Sequence, residues 1–514
     1  MRNPKTLAAL AAAGVAFSLA ACGGGGDGGS TSSGGSTAAG DGKLVYAAVF
    51  ANATMDPDLM PLRHMASYTA PAYDALTFLA SGEKLEPQLA TEWTAGSDET
   101  GPFLDMTLRD GLTYADGTAF TSATVVANIA RSQTLQGSTN AGILAGTTVE
   151  ATDATHVRLR NPAGVGAMPR LLSGAAGMMI SDKAIADGAD LTKTTYGIGP
   201  WTLETVEPNR VVYTKTADYW DPEAAKVDTL EIQYLADDAK INAIRSGGVD
   251  ITIVPEKQVS TAEGAGYAIE KSLGAENYTF SFNSTMAPFD KPEVREAVNL
   301  SLDREAICQG VLDGACEPTG QFNGAGTAAY DKELGLKNFP YDLEKAKSLV
   351  ASAGATGAKV EIVTVAGNTV FEQLATIFQA QLNAIGLDAS VSPVAPPQVV
   401  GRFTQEKNVA IAFGATGNAF DPSETINRYI APKGLYNPGG YDATAINALA
   451  AEGLKETDEA KRTEIYRELS CSLMPDGIIV PILTPETAYV LSPQVSGWQT
   501  PWAPSFPSFR GVSG

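Results

Sequence analysis

The chain is poor in the side chains that most hydrolases and metalloenzymes use. Its 514 residues include only two histidines, His64 and His156. Neither lies beside a nucleophile in the sequence, no His-Glu-x-x-His motif is present, and the Gly-x-Ser patterns fall in low-complexity or turn sequence. Serine, cysteine and metal-dependent hydrolysis are therefore disfavoured. Catalysis by paired carboxylates stays an open alternative, because a sequence does not show which acidic residues meet.

The cysteines beyond residue 22 are Cys308, Cys316 and Cys471. Their spacings are not those of a zinc site, so we expect neither a protein-built metal centre nor a cofactor. Where disulfides persist, three cysteines predict one pair and one free thiol. Cys308 lies near a predicted helix end and Cys316 just beyond it, which favours the pair Cys308–Cys316. The pair Cys308–Cys471 is the alternative.

The first residues have the order of an export signal. Arg2 and Lys5 precede an apolar stretch at residues 7–17, and small residues then lead to Cys22. The apolar stretch is shorter than the roughly 20 residues of a membrane-spanning helix. We predict a signal peptide over residues 1–21 and a bacterial lipoprotein cleavage box that leaves the lipid on Cys22. Ordinary secretory cleavage, with Cys22 incidental, is the alternative.

Residues 22–42 are rich in Gly, Ser, Thr and Ala, a composition typical of a flexible tether. No later stretch is long and apolar enough to cross a membrane. We therefore expect the protein on the outer, extracytoplasmic face of the bacterial cytoplasmic membrane, attached through the lipid alone. The remaining body, from about residue 43 to residue 514, is long enough for two or three lobes.

The charge balance disfavours one class of partner. Removing the predicted signal leaves 36 − 2 = 34 basic and 58 acidic residues, a net charge of −24. Nucleic acid requires Lys and Arg patches, so it is not an expected partner. We expect a monomer.

Strands and helices alternate along the body. In the first half, strands are predicted at about 43–50, 103–108, 211–213, 230–234 and 249–254, with helices at 122–131 and from Asp237 to Gly247. In the second half, Asp303 and Asp342 are predicted helix caps and Gly386 a helix stop. Further strands are predicted at 360–365, 387–391, 409–413 and 478–480. This alternation indicates an α/β fold.

Several short motifs follow one another along nearly the whole body. They are Met55-Asp56-Pro57, Tyr73-Asp74-Ala75-Leu76, Glu86-Pro87-Gln88-Leu89-Ala90, Leu108-Arg109-Asp110-Gly111, Tyr196-Gly197-Ile198-Gly199-Pro200-Trp201, Ala217-Asp218-Tyr219-Trp220, Ser246-Gly247-Gly248-Val249-Asp250, Leu302-Asp303-Arg304-Glu305 and Tyr341-Asp342-Leu343-Glu344-Lys345-Ala346. In this order the chain resembles the family 5 extracellular solute-binding proteins, the dipeptide, oligopeptide and nickel-binding components of bacterial ABC importers. Each motif taken singly also suits a turn or a core. Trp201 and Trp220 within the motifs, and Trp93 shortly after Ala90, are expected to pack in cores.

The resemblance implies a two-lobed periplasmic-binding-protein fold of type II, with an extra subdomain inserted in lobe I. The implied boundaries are 43–70, 196–282 and 483–514 for lobe I, 71–195 for the inserted subdomain, and 283–482 for lobe II. Two strands near Phe282 and Pro481 would join the lobes as a hinge. The implied function is to capture a small solute between the lobes and deliver it to the permease subunits, without catalysis.

The resemblance also implies where the solute binds. The inner wall of lobe II would run from residue 411 to residue 422. Peptide-binding members place an acidic residue just before the Asp-Pro pair, and this chain has Asn418 there; where they often have Trp, it has Gln398. Neutral amides in place of a charge and a ring favour a neutral polar solute such as an oligosaccharide. A peptide and a nickel chelate are the alternative ligands. For the two residues themselves, the alternatives are a register shifted by one or two positions and a simple place on a surface loop.

Further residues are predicted to line the same cleft. They are Thr416, Phe420, Tyr68, Tyr278, Asn283, Tyr436 and Asn437. Aromatic faces beside amides suit sugar rings, although such residues at lobe edges commonly only pack. Asp421 is assigned to the turn before Pro422, and His64 to the surface. A ligand-sensing partner of a receptor and a surface-anchored hydrolase are the rival functions.

Overall fold

The computed structural model describes residues 42–60, 65–417, 419–472, 477–504 and 506–514. The strands are β1 Lys43–Ala48, β2 Thr77–Leu79, β3 Leu85–Pro87, β4 Ala90–Asp98, β5 Gly101–Leu108, β6 Thr148–Asp153, β7 His156–Arg160, β8 Trp201–Glu207, β9 Arg210–Lys215, β10 Thr229–Tyr234, β11 Ile251–Val254, β12 Ala268–Leu273, β13 Asn277–Phe282, β14 Cys316–Pro318, β15 Lys359–Val365, β16 Asp388–Val394, β17 Ile411–Thr416 and β18 Ile479–Leu491.

The helices are α1 Ala66–Thr69, α2 Ser122–Thr134, α3 Met168–Leu171, α4 Asp182–Ala186, α5 Asp237–Arg245, α6 Glu256–Gly264, α7 Pro292–Ser301, α8 Arg304–Leu312, α9 Leu343–Ser352, α10 Thr369–Ala384, α11 Pro396–Val400, α12 Pro422–Tyr429, α13 Thr444–Lys455 and α14 Glu459–Ser472. The predicted signal peptide, Cys22, His64 and Asn418 lie outside the described residues. Within those residues, no helix has the length and apolar character needed to span a bilayer.

The first half of the main sheet has the strand order β18-β11-β1-β10-β9-β8, with β12 also paired to β18. The central strand β1 runs parallel to both β10 and β11. Large side chains from these strands and from β8 form a first core, which includes Tyr46, Trp201 and Tyr213, each at most 2% exposed. Strand, helix and strand follow each other from β10 through α5 to β11, as predicted, although Asp237 is the first helical residue rather than the cap.

The second half has the order β16-β15-β17-β13-β18, and β15 is parallel to both neighbours. Its core includes Phe280 and Phe378, whose rings stack with centroids 3.5 Å apart as α10 lies on the sheet. The carboxylates of Asp303 and Asp342 accept backbone N–H groups of Ala306 and Lys345, which confirms both predicted helix caps.

One long strand passes through both halves. The first part of β18 pairs with β13 and β14, and its last part pairs with β11 and β12. Pro481 has no N–H to donate to the ladder, and the register against β13 shifts at Tyr278 and Thr279, opposite Pro481 and Leu483. The predicted lobe boundary at residues 482 and 483 therefore lies inside a continuous strand, and the predicted domain limits stay a prediction.

A third core lies between Leu76 and Ile198 in the sequence. It packs the antiparallel sheet β4-β5-β7-β6 against α2, with Leu104, Val125 and Leu159 fully or almost fully buried. This part of the chain supplies one wall of the site described next.

Candidate functional site

Three separate parts of the chain meet around a small cavity of about 50 Å³. The third-core region contributes Glu83 and Arg170, and α14 contributes Glu459, Arg462 and Tyr466. Residues on both sides of position 418 also line this cavity. At this cavity, charged side chains of the third-core region face charged side chains of α14.

Arg170 is the centre of this arrangement. Its Nε donates to the carbonyl of Phe420 at 3.0 Å, Nη1 to Glu459 at 2.9 Å and Nη2 to Glu83 at 2.8 Å. The side chain is only 9% exposed. Burial opposes the charged form, but the carboxylates of Glu83, Asp421 and Glu459 outweigh it and raise the pKa of Arg170. The guanidinium thus stays charged and bridges two parts of the molecule.

Arg462 forms a second buried pair on the opposite wall. Its Nη2 lies 2.5 Å from the carboxylate of Asp421, and neither side chain is more than 3% exposed. The same Nη2 also donates to the Tyr466 hydroxyl at 3.0 Å, and Nε donates to the Gly453 carbonyl at 2.8 Å. Asp421 also accepts the Ser423 N–H and caps α12, so its assignment as a turn residue agrees with its contacts.

Phe420 points away from the charged cavity into an aromatic pocket. Its ring centroid lies 5.2 Å from that of Trp502 and 4.5 Å from that of Phe506. On the third side is Gly174, where a Cβ would lie 2.5 Å from the Phe420 ring, so any larger residue would push the ring out. Phe420 is 8% exposed and therefore fills this pocket.

The same ring borders a larger cavity of about 390 Å³. Its walls include Tyr73 from the first core, Gln88 from the third-core region, Trp220, and Trp502 and Arg510 from the chain end. A cavity of this size is within the range of small-molecule sites, roughly 300–1,000 Å³. Its lining combines aromatic faces with one guanidinium.

A buried carboxylate, Asp74, holds this wall together. It accepts hydrogen bonds from Gln88 Nε2 at 2.8 Å, the Tyr219 hydroxyl at 2.5 Å and Trp220 Nε1 at 2.9 Å, and pairs with Arg510 at 3.2 Å. Burial raises the pKa of Asp74, against the lowering effect of these donors. The aromatic lining is thus fixed by a polar network that joins three stretches of sequence.

The structure places three of the predicted cleft residues inside packed regions. Tyr68 is fully buried in the first core and donates to the Phe50 carbonyl. Tyr278 packs edge-on against Phe371 of the second core. The fully buried Asn283 accepts the N–H and hydroxyl of Thr285 and so forms a local turn. The Asn283 Nδ2 is buried without a hydrogen-bond partner among the described residues, and none of the three side chains lines either cavity.

Three more predicted residues also make local contacts. Gln398 accepts the Ala395 N–H at 3.3 Å at the start of α11, and Asn437 spans three carbonyls with its amide. Tyr436 stacks on Tyr429 with ring centroids 4.6 Å apart. Asn418 lies outside the described residues.

Phe420 lines the larger cavity, and Thr416 directly precedes a residue that lines the smaller one. Thr416 ends β17, and its hydroxyl bonds that of Thr279 at 2.9 Å, just before the cavity-lining Gly417. Cys308 and Cys316 form a disulfide with Cα atoms 6.0 Å apart, and Cys471 is free. Among the described residues, no group of three or more His, Cys, Asp or Glu could hold a metal ion.

Sequence reasoning did not single out Glu83, Arg170, Glu459 or Arg462. One signal was available for Arg170, a lone charge in the otherwise apolar run 167–172. A charge placed among residues that pack a core needs a buried partner. Its partners lie 87, 250 and 289 positions away in sequence, so no local pattern could name them.

Comparison with known proteins agrees with this architecture. The profile of bacterial extracellular solute-binding proteins, family 5 Middle, matches residues 84–437. The glutathione-binding protein GsiB of Escherichia coli K12 is 25% identical over 445 residues, covering 83% of this chain and 86% of GsiB.

Solved structures give the same fold. AgaA of A. tumefaciens R10, in complex with agropinic acid, superposes with a TM-score of 0.80 at 22% identity, covering 92% of this chain and 98% of AgaA. DppA of Helicobacter pylori, in complex with the peptide STSA, gives 0.77 at 21% identity and 91% and 97% coverage. These findings confirm the predicted two-lobed α/β fold. The chain belongs to the bacterial extracellular solute-binding proteins of family 5.

Proposed function

We propose that this chain is the solute-binding component of an ABC importer, whose lobes close over a peptide-like solute and present it to the permease. The observation that carries the proposal is the charged cleft, where Arg170 from one side reaches Glu459 and the Phe420 carbonyl from the other. A site between two hinged lobes excludes water on closure and strengthens each polar contact to a solute.

The charged cleft and the relatives favour a peptide-like or acidic solute over a sugar. Two arginines, Arg170 and Arg462, line the small cavity, and Arg510 lines the larger one. Guanidinium groups bind carboxylates with paired hydrogen bonds. GsiB binds glutathione, DppA was solved with a peptide and AgaA with agropinic acid. The predicted oligosaccharide ligand gains no support from these proteins.

The location and partners follow the family pattern in this proposal. Export by residues 1–21 and lipidation at Cys22 would hold a monomer at the outer face of the cytoplasmic membrane. The permease is the protein partner, and the solute is released without chemical change. A metal would enter only as a complete chelate, since the described residues offer no ligand cluster.

Calorimetric titration of the mature chain tests the proposal. The titrants are glutathione and a set of di- to tetrapeptides, with maltooligosaccharides and nickel–histidine as comparators. We expect one peptide-like solute per chain, a rise in Tm at saturation, and unchanged solute on recovery. Saturable binding of sugars alone would reject the peptide-like class, and steady product formation would reject the binding-protein function.

A further inference from the structure

The charged cavity is far smaller than a typical small-molecule binding site. Its volume of about 50 Å³ compares with roughly 300–1,000 Å³ for small-molecule sites. The space between the two sides is occupied by groups of the protein itself. The chemistry of these groups indicates the chemistry of the solute whose place they occupy.

Four residues form what we call the interlobe clasp: Glu83, Arg170, Phe420 and Glu459. The guanidinium of Arg170 donates to the Glu459 carboxylate and to the Phe420 carbonyl across the cleft. Glu83 pairs with Arg170 on its own side and accepts the Ala328 N–H from the other side at 2.7 Å. The backbone of Glu83 has a left-handed φ of 59°, which is uncommon for a residue with a side chain.

The clasp has a polar part and an apolar part. The polar part is a carboxylate, that of Glu459, on a guanidinium that is 9% exposed. The apolar part is the ring of Phe420 in the pocket of Trp502, Phe506 and Gly174. Glu459 and Phe420 both belong to the stretch 420–459. The groups that they contact, Arg170 and the aromatic pocket, belong to the opposite side of the cleft.

Opening the cleft would leave these receptor sites without their partners. Arg170 would keep Glu83 but lose two acceptors, although a guanidinium has five N–H donors to satisfy. The aromatic pocket would be exposed to water. A solute that restores both contacts needs a carboxylate and a nearby apolar or aromatic group.

We infer that Glu459 and Phe420 are an internal stand-in for the solute: they occupy the sites of its carboxylate and its apolar side chain until the solute displaces them. The inference rests on the proposed function and defines its solute class as peptides with a free carboxyl group next to an apolar residue. The clasp also closes the lobes without solute, and this competition weakens the apparent affinity for the solute.

The test uses the mature chain with Glu459→Gln, Phe420→Ala and the double variant. Glu464→Gln is the matched control, because Glu464 lies on the same helix, is exposed, and forms an ion pair with Arg467 rather than with the clasp. Small-angle scattering without solute reports closure, and titration reports affinity for the dipeptide Ala-Phe and for its C-terminal amide. Cooperative thermal unfolding of each variant shows that it is folded.

We expect the clasp variants to have a larger radius of gyration than wild type and Glu464→Gln. Their affinity for Ala-Phe should rise about tenfold, because the competent open state is more populated, while the amide gains nothing. An unchanged radius of gyration, or open variants that bind Ala-Phe no tighter than wild type, overturns the inference. If wild type binds sugars but no peptide, the proposed solute class fails, and the scattering still decides whether the clasp closes the lobes.

Discussion

Asp74 is a carboxylate with no exposed surface. A buried charge is costly unless it has hydrogen-bond and ion-pair partners, so the network around Asp74 contributes to the stability of the protein. Replacing it by Ala leaves the partly buried Arg510 with its ion pair to Asp221 and removes the acceptor for Trp220 and Tyr219. We expect Asp74→Ala to lower the free energy of unfolding by about 3–5 kcal/mol, because each buried donor left without an acceptor costs about 1–3 kcal/mol. Chemical denaturation monitored by circular dichroism measures this loss.

A matched control separates the effect of losing a buried carboxylate from the effect of losing an exposed one. Asp187 forms an ion pair with Lys183 in which both side chains are about 60% exposed. Exposed pairs contribute roughly 0–1 kcal/mol, so Asp187→Ala should change stability little. Equal losses in the two variants would contradict the role assigned to the Asp74 network.

At the scale of the element, the disulfide links the middle of α8 to β14, which pairs with β18. It closes a loop with a sequence separation of 8. In the chain-entropy description, a loop of this length restrains the unfolded chain by about 2–3 kcal/mol. We expect the double change Cys308→Ala and Cys316→Ala to lose about that much stability in urea denaturation.

The free thiol provides the comparison for this prediction. Cys471→Ala changes a half-buried cysteine that is outside the disulfide. Its effect should stay below that of the double variant and should not depend on a reducing agent. A double variant as stable as wild type would show that the loop is already ordered in the unfolded chain.

Local sequence signals predicted the helix caps better than they predicted the long strand β18. Asp303 and Asp342 could be recognised as caps because a cap depends on neighbours three residues away. Strand β18 was predicted only at residues 478–480, whereas the structure continues it through Pro481 and Pro485 to Leu491. Proline cannot donate to a strand ladder, and the register against β13 shifts opposite Pro481, a pairing that local sequence does not show.

The candidate site was harder to predict than the fold for the same reason. The resemblance implied the wall that contains Phe420, but Phe420 acquires its role from Trp502 and Phe506, which are distant in sequence. Tyr68 and Asn283 have side chains suited to a solute, yet they satisfy buried groups of the fold instead. Residue type indicates what a side chain can bind, and only tertiary contacts show what it does bind.

At the scale of the whole molecule, the third-core region and the end of α13 are in backbone contact. The Gly166 N–H donates to the Leu454 carbonyl at 2.9 Å, and a Cβ at Gly166 would lie 1.9 Å from the Glu456 carbonyl oxygen. Real Cβ atoms do not approach other atoms below 3.0 Å. Gly166→Ala should therefore prevent full closure, whereas Gly142→Ala, with nothing within 4 Å, is the control.

This variant should act on affinity in the opposite direction to the clasp variants. Glu459→Gln and Phe420→Ala remove competitors but still allow the lobes to close over a solute. Gly166→Ala forbids the closed complex, so we expect a larger radius of gyration in scattering together with about a tenfold or greater loss of affinity for the solute in titration. If Gly166→Ala binds as tightly as Gly142→Ala, the contact between residues 166 and 454–456 is not part of the solute-bound state, and closure over the solute must follow another path.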